Sequence, residues 1–312
     1  PLWSRGLGDV YKRQAKANNA MITKGHVHVN TAWKTPQFWL VWAVLCLNVS
    51  AGIGIIGMAS PMLQEVFGGK LIGLNVPFSQ LDAAQLGQIA AIAAGFTGLL
   101  SLFNIGGRFF WASFSDLIGR KATYFVFFAL GFTLYALVPW TGHLGSIALF
   151  VFAFCLILSM YGGGFATVPA YLADLFGTQM VGAIHGRLLT AWAFAGVLGP
   201  VLVNYLREYQ LSIGVERAAA YDITLYILAG LLVLGFICNL LVRPVDPKYF
   251  MTDAELAAER AHGEKSKPSA AELEWAADPS SKPLVIAAWL AVGIPLAWGV
   301  WITLQKTVVL FH

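Results

Sequence analysis

The sequence predicts an all-α, polytopic membrane protein with seven membrane-spanning helices. Of its 312 residues, 58% are hydrophobic and only 12% are charged, and the mean hydropathy is +0.68. That balance is too apolar for a soluble domain of this length. A helix needs about 20 mostly apolar residues to cross about 30 Å of hydrocarbon. Seven segments satisfy this requirement, and they cover residues 38–59, 86–114, 123–138, 145–170, 186–206, 223–242 and 284–304.

The composition also argues against cofactor-dependent and nucleic-acid-binding classes. Cys46, Cys155 and Cys238 all fall inside predicted spans, where a lone thiol behaves as a small apolar side chain, so neither a disulfide nor a metal site is expected. No phosphate-binding loop follows a predicted strand, so no enzyme and no cofactor is predicted. The net charge of +4 is spread over loops rather than along one basic face, which argues against nucleic acid as a partner.

The distribution of positive charge predicts which ends of the helices face the cytoplasm. Of the 20 Lys and Arg residues, most lie in the N-terminal tail, in the turn at 116–121 and in the loop after residue 242. The loops on the other side carry few, namely Lys70, Arg207, Arg217 and Lys306. The positive-inside rule therefore places the N-terminal tail and the 116–121 turn in the cytoplasm, with the bilayer as the main partner.

Four regions follow from these patterns. Residues 1–36 are predicted to be a polar cytoplasmic tail without a signal peptide or a folded domain, and residues 1–14 resemble read-through of a sequencing adapter. Residues 37–242 hold six spans. Residues 243–283 are predicted to be a charged cytoplasmic linker with short helices, because Thr252 and Glu255, and again Ser269 and Glu272, have capping-box spacing. Residues 284–312 hold the seventh span.

The turn between the second and third spans carries an unusual concentration of charge. It is written Ala112-Ser113-Phe114-Ser115-Asp116-Leu117-Ile118-Gly119-Arg120-Lys121. Gly119 suits a sharp turn, where a side chain would be costly, and Asp116 can pair with Arg120 or with a helix end. The positive-inside rule alone would explain Arg120 and Lys121, but it would explain neither the Asp116 carboxylate nor Gly119. We therefore expect Asp116, Gly119, Arg120 and Lys121 to act as a latch that breaks when helices rearrange.

This turn resembles the signature Gly-x-x-x-Asp-Arg/Lys-x-Gly-Arg-Lys/Arg of the major facilitator superfamily, with Ala112 and Leu117 as departures. The resemblance implies two six-helix halves, each with this motif between its second and third helices. Because a basic tail precedes six spans here, the chain resembles a C-terminal half with one extra helix. An N-terminal six-helix half is then the missing partner, and a bacterial cytoplasmic membrane is the expected location.

Three further runs are similar to the oxalate/formate antiporter family over about residues 21–242. They are AGIGIIGMASPMLQE at 51–65, GGGFATVPAYLADLFG at 162–177 and GAIHGRLLTAW at 182–192. The resemblance implies exchange of small carboxylates by alternating access. It also implies a basic residue on the second helix that meets the carboxylate, and Arg108 is the candidate.

Residue spacing supports Arg108 as a substrate-binding residue beside Asn104. A stripe of residues with helical spacing runs along the second span, and its members are Thr97, Ser101, Asn104, Arg108, Trp111 and Ser115. A polar stripe in a membrane faces protein or a water-filled path. A purely structural arginine that snorkels to the interface remains the alternative.

The family resemblance also implies a lysine on the fifth helix, where this sequence has Trp192. Two cations suit a dianion such as oxalate, whereas one suits a monocarboxylate such as formate, pyruvate or lactate. Trp192 and Tyr161 are expected to line the cavity, although packing is their simpler explanation. Small residues recur every four positions on the fourth and fifth helices, which are expected to pack closely.

The sequence therefore predicts a secondary transporter of small carboxylate anions. A monocarboxylate carrier is the first alternative. A half-transporter or a sensor subunit that requires a partner chain is the second, and transport by this chain in liposomes would exclude the sensor.

Overall fold

The computed structural model describes residues 21–265 and 282–308 of the chain. Six of the helices in this part are long and apolar enough to cross a membrane. They are α1 (Pro36–Phe67), α2 (Ala83–Ile118), α3 (Arg120–His143), α4 (Ile147–Phe176), α5 (Val181–Ser212, interrupted at Leu189) and α6 (Asp222–Leu241). The chain is thus an all-α, multi-pass membrane protein.

The spans are longer than their apolar segments predict. The third, predicted at 123–138, covers 24 residues in the structure, and α1 extends through Phe67. Hydropathy detects only the apolar middle of a span, whereas its polar and aromatic ends stay helical at the interface. Local caps set the true ends. Thr35 accepts the Phe38 amide at the start of α1, and Asp82 forms a capping box at the start of α2.

The helices are arranged as three interlocking pairs. The most extensive interfaces join α2 to α4, α1 to α5, and α3 to α6. If α1, α2 and α3 are matched in order with α4, α5 and α6, the α2–α4 interface corresponds to the α1–α5 interface. The α3–α6 interface then corresponds to itself. This is the pattern of two three-helix repeats related by a twofold axis. Of the six spans, α2 and α5 are the least buried, so their outer faces form an open surface of the bundle.

Glycines allow the two equivalent pairs to approach closely. A Cβ on Gly107 of α2 would lie 2.1 Å from the Ser159 carbonyl oxygen of α4, and one on Gly162 would lie 2.1 Å from the Asn104 oxygen. At the α1–α5 crossing, a Cβ on Gly199 would lie 2.5 Å from the Ser50 oxygen. The small residues of α4 and α5 thus pack these helices closely against α2 and α1 respectively. The expectation that α4 and α5 pack closely against each other was wrong, because repeated small residues do not specify the partner helix.

Residues 21–35, before α1, are hydrogen-bonded to the end of α4. The Thr23 and Val27 amides donate to the carbonyls of Asp174 and Phe176 at the end of α4, at 2.8 and 2.9 Å. Val27 also bridges Phe250 from the segment after α6. The described part of the predicted tail, from residue 21, is therefore docked on the bundle. The composition of 1–36 concealed this because the bonds are made by its backbone. Residues 1–14 lie outside the described range.

The segment after α6 contains the first of the two predicted linker helices. Helix α7 (Asp253–Lys265) begins after Thr252, whose amide donates to the Glu255 carboxylate at 2.8 Å. That bond holds the pKa of Glu255 below its ordinary value. The predicted box at Ser269 and Glu272 lies outside the described residues. Helix α8 (Lys282–Val308) lies against α2, and its apolar stretch, Val285–Gly299, is shorter than the six spans.

Candidate functional site

The candidate site begins on α2 with Arg108 and Asn104. The two are one turn apart, and the Arg108 Nη2 lies 3.5 Å from the Asn104 Oδ1. Gly162 brings α4 against this same turn, since a Cβ there would lie 3.3 Å from the Arg108 Cγ. The arginine is exposed in this structure. At the crossing of α2 and α4 the stem of Arg108 therefore lies beside Gly162, while the residue stays exposed.

Tyr161 of α4 and Trp192 of α5 complete the group. Tyr161 directly precedes Gly162, the residue of α4 that packs beside the Arg108 stem. Phe165 lies between the two aromatic rings, with ring centroids 5.2 Å from Tyr161 and 5.3 Å from Trp192. The ring of Tyr161 packs on Gly52 of α1, where a Cβ would overlap it at 2.2 Å. The site residues thus come from α2, α4 and α5, and α1 packs behind them.

All four residues predicted to bind substrate therefore lie in one group at the open face of the bundle. Trp192 is 44% exposed, and of the four only Arg108 is charged. A guanidinium next to amide, phenol and indole donors is chemically suited to a small oxyanion. Phe165 was not predicted, although its position four residues after Tyr161 on the same helix face was a usable signal.

The polar stripe of α2 divides into an exposed and a buried part. Thr97, Ser101 and Arg108 are exposed, whereas Trp111 and Ser115 are buried. Trp111 donates to the Ser159 hydroxyl at 3.2 Å, and its side chain packs against Gly163. The lower part of the stripe is therefore a packing surface, because α2 comes to lie against α4 there.

The 116–121 turn forms a compact polar cluster. Arg120 pairs with Asp116 one turn away, and it donates to the Ser115 hydroxyl at 2.5 Å. The charges of Arg120 and Asp116 also act on Asp174 at the end of α4. Gly119 has φ 89° and ψ 150°, a region essentially reserved for glycine. The turn is therefore an ion-paired, conformationally specific junction between α2 and α3.

Lys121 connects this turn to the last span of the bundle. Its Nζ donates to the carbonyls of Leu240 and Val242 at 3.2 and 2.6 Å, where α6 ends. In return, Asn239 donates to the Lys121 carbonyl at 3.0 Å. His185 and Arg187 lie at the same end of the bundle, away from Arg108, and Arg187 binds the Val29 carbonyl at 2.8 Å. Arg187 therefore holds the segment before α1 in place.

A second ionic cluster lies at the opposite end of the helices and was missed by sequence reasoning. Glu65 of α1 accepts from Arg207 of α5 at 2.5 Å and from the Tyr221 hydroxyl at 2.6 Å, and Arg217 approaches it at 3.5 Å. The Glu65 side chain is only 7% exposed. Glu65 is the only acidic residue within the first apolar run and its extension, which was the available signal. This cluster joins α1, α5 and the start of α6.

Two known proteins are similar to the chain. Over 189 residues it is 29% identical to the oxalate:formate antiporter of Oxalobacter formigenes, an alignment that covers 60% of this chain and 40% of that protein. Over 217 residues it is 28% identical to YdeG of Bacillus subtilis (strain 168), an uncharacterized MFS-type transporter, covering 67% of this chain and 48% of that protein. The aligned part of the chain spans less than half the length of these curated relatives.

The profile of the Major Facilitator Superfamily matches residues 8–200 and, in a second placement, residues 98–310. Together the two placements cover nearly the whole chain. They agree with the six apolar spans and with the charged turn between the second and third of them. Members of this family are transporters rather than enzymes. The chain therefore belongs to the major facilitator superfamily.

Proposed function

We propose that the chain takes part in secondary active transport of small carboxylate anions by alternating access. The observation that carries this proposal is the convergence of Arg108, Asn104, Tyr161 and Trp192, from α2, α4 and α5, at the open face. Arg108 supplies the charge attraction, and the three neighbours supply hydrogen-bond donors. Exchange of one anion for another, as in the similar oxalate:formate antiporter, is the proposed mode.

The preferred substrate is a monocarboxylate of the size of formate, pyruvate or lactate. Arg108 alone is charged among the four site residues, so a dianion would keep one uncompensated negative charge once a second unit covers the open face and excludes water. Trp192 occupies the position where a second cation would balance that charge. Oxalate itself remains the alternative cargo, and competition between formate and oxalate for uptake distinguishes the two.

The six spans α1–α6 serve as one half of the carrier, equivalent to the C-terminal half of a twelve-helix protein. A second six-helix unit would cover the open face of α2 and α5 and close the site. In this arrangement the Asp116, Gly119, Arg120 and Lys121 turn faces the cytoplasm and latches one conformation. A bacterial inner membrane is the proposed location, in line with the bacterial relatives.

The test is Arg108→Gln in the complete carrier, measured as counterflow of labelled formate into proteoliposomes. We expect counterflow to be abolished while the amount of protein in the membrane is unchanged. Lys24→Gln is the matched control, because Lys24 is an exposed cation in the segment docked on the end of α4 and is not a member of the Arg108 group. Unchanged uptake by Arg108→Gln would remove the proposed role.

A further inference from the structure

A cleft lined by charged side chains lies at the end of the bundle that holds Glu65, away from Arg108. It has a volume of about 570 Å³ and opens between the α1–α2 connection and the α5–α6 connection. Its polar lining consists of Glu65, Lys70, Asn75, Ser79, Glu216 and Arg217. Both connections join helix ends on the side opposite the 116–121 turn, so the cleft faces the compartment opposite that turn.

Glu65 lines this cleft, and its carboxylate is hydrogen-bonded and neutralised without Arg217. Its two carboxylate oxygens are engaged at 2.5 Å by Arg207 and at 2.6 Å by Tyr221. Arg207 also donates to the Tyr221 hydroxyl at 2.8 Å, which holds the three groups together. The carboxylate is therefore neutralised and hydrogen-bonded without a third donor, as a buried charge requires.

Arg217 is the loosely held member of the cluster. Its Nη1 lies 3.5 Å from Glu65, a full ångström farther than Arg207, and its side chain is 56% exposed. A guanidinium carries five N–H donors, so this single long contact leaves most of them available. Arg217 already approaches one carboxylate, and a carboxylate that enters the cleft can take the place of that contact at little cost.

Lys70 provides a second charge in the cleft. It is exposed, and its Nζ lies over Gly145, where a Cβ would be 2.7 Å away. Glu216 is the one exposed carboxylate that opposes these cations in the lining. With Glu65 and Arg207 cancelling each other, Lys70 and Arg217 outweigh Glu216 by one positive charge. Asn75 and Ser79 add uncharged donors on the loop that forms the other wall.

We propose that this cleft is a second binding site for a small carboxylate anion, held by Arg217 and Lys70 and separate from Arg108. Such a site concentrates the anion at one mouth of the bundle, where a cation-lined cavity focuses the local field. Its affinity falls with ionic strength because both cations are exposed.

The test uses the full chain carrying Arg108→Gln, which removes the charge of the first site, in a neutral detergent. Titration with sodium oxalate and sodium formate is followed by calorimetry. We expect binding to persist in this background, and Lys70→Gln or Arg217→Gln to weaken it by roughly tenfold each, as loss of a charge-assisted bond requires. Glu216→Gln should tighten it, because the opposing carboxylate is gone. Lys24→Gln and Arg243→Gln, exposed cations outside the cleft, are the matched controls.

Three results would overturn the proposal. Binding in the unsubstituted chain but not in Arg108→Gln would mean that Arg108 holds the only carboxylate site, and the proposed function would stand. If the Lys70, Arg217 and Glu216 variants bound the anion as tightly as the Arg108→Gln background does, the charges of the cleft would not be involved. If binding of added phosphatidylglycerol required Lys70 and Arg217 but binding of oxalate and formate did not, the cleft would be a site for a lipid headgroup. Arg217→Lys, which keeps the charge, distinguishes a binding defect from misfolding.

Discussion

Lys121 Nζ donates to the Val242 carbonyl at 2.6 Å, so the first turn of α3 caps the end of α6. The bond joins two helices that also share one of the three major interfaces. Asn239 extends the link to α4, because its side chain donates to the Lys121 carbonyl and accepts from the Tyr171 hydroxyl at 3.1 Å. One residue of the charged turn is thus a structural tie between helices, whereas its neighbours Asp116 and Arg120 pair with each other.

Lys121→Met removes the donor from the two carbonyls at the end of α6. We expect it to lower the stability of the bundle by about 1.5–3 kcal/mol, which is the range for hydrogen bonds to charged groups. The thermal unfolding midpoint in detergent measures the effect. Lys121→Arg keeps a donor and should lose much less. Equal loss in both variants would contradict the capping role.

Gly107→Val is expected to disrupt the crossing of α2 and α4, because its Cβ would lie 2.1 Å from a backbone oxygen that cannot move aside. We expect poor folding and loss of carboxylate binding at Arg108, one residue further on. Gly106→Val is the matched control, since a Cβ there meets nothing within 4 Å. Circular dichroism and the yield of monodisperse protein report the difference. Similar behaviour of the two variants would rule out close packing at Gly107.

These contacts show how far the sequence could predict the structure. Hydropathy located the six spans, and helical spacing brought Arg108 and Asn104 to one face. The seventh predicted span, 284–304, is not among the six, because its apolar stretch within the described residues covers only Val285–Gly299. The arrangement of helices in pairs was not predictable, because the small residues of α4 and α5 indicate close packing but not the partner helix. The cluster joins Glu65 to residues more than 140 positions further along the chain, and its members fall in different loops and spans. Such pairing depends on the tertiary fold, which composition and periodicity do not encode.

Tyr135→Phe is expected to leave stability unchanged or raise it by about 1 kcal/mol. The Tyr135 hydroxyl is buried and has no hydrogen-bond partner among the described residues, so its removal deletes an unsatisfied polar group. Tyr171→Phe is the matched comparison, because it removes the 3.1 Å bond to Asn239 from an equally buried ring and should destabilise by about 1 kcal/mol. Chemical unfolding of the two variants in parallel decides the point. If Tyr135→Phe lowered the free energy of unfolding more than Tyr171→Phe does, the Tyr135 hydroxyl would have to be hydrogen-bonded in the folded protein.

Trp192→Lys is expected to shift the preference of the carrier from monocarboxylates toward oxalate. Trp192 and Tyr161 both contact Phe165, beside the turn of α2 that carries Arg108, so a lysine at position 192 would place a second positive charge in the same group. A dianion would then be neutralised on both carboxylates, while a monocarboxylate would leave one cation unpaired at a cost. The ratio of oxalate to formate counterflow measures the shift, which should exceed roughly tenfold for one added charge-assisted bond. Trp192→Gln supplies a polar side chain without charge and should leave the ratio near its original value. If Trp192→Lys and Trp192→Gln gave the same ratio, the number of cations at this site would not set the choice of anion.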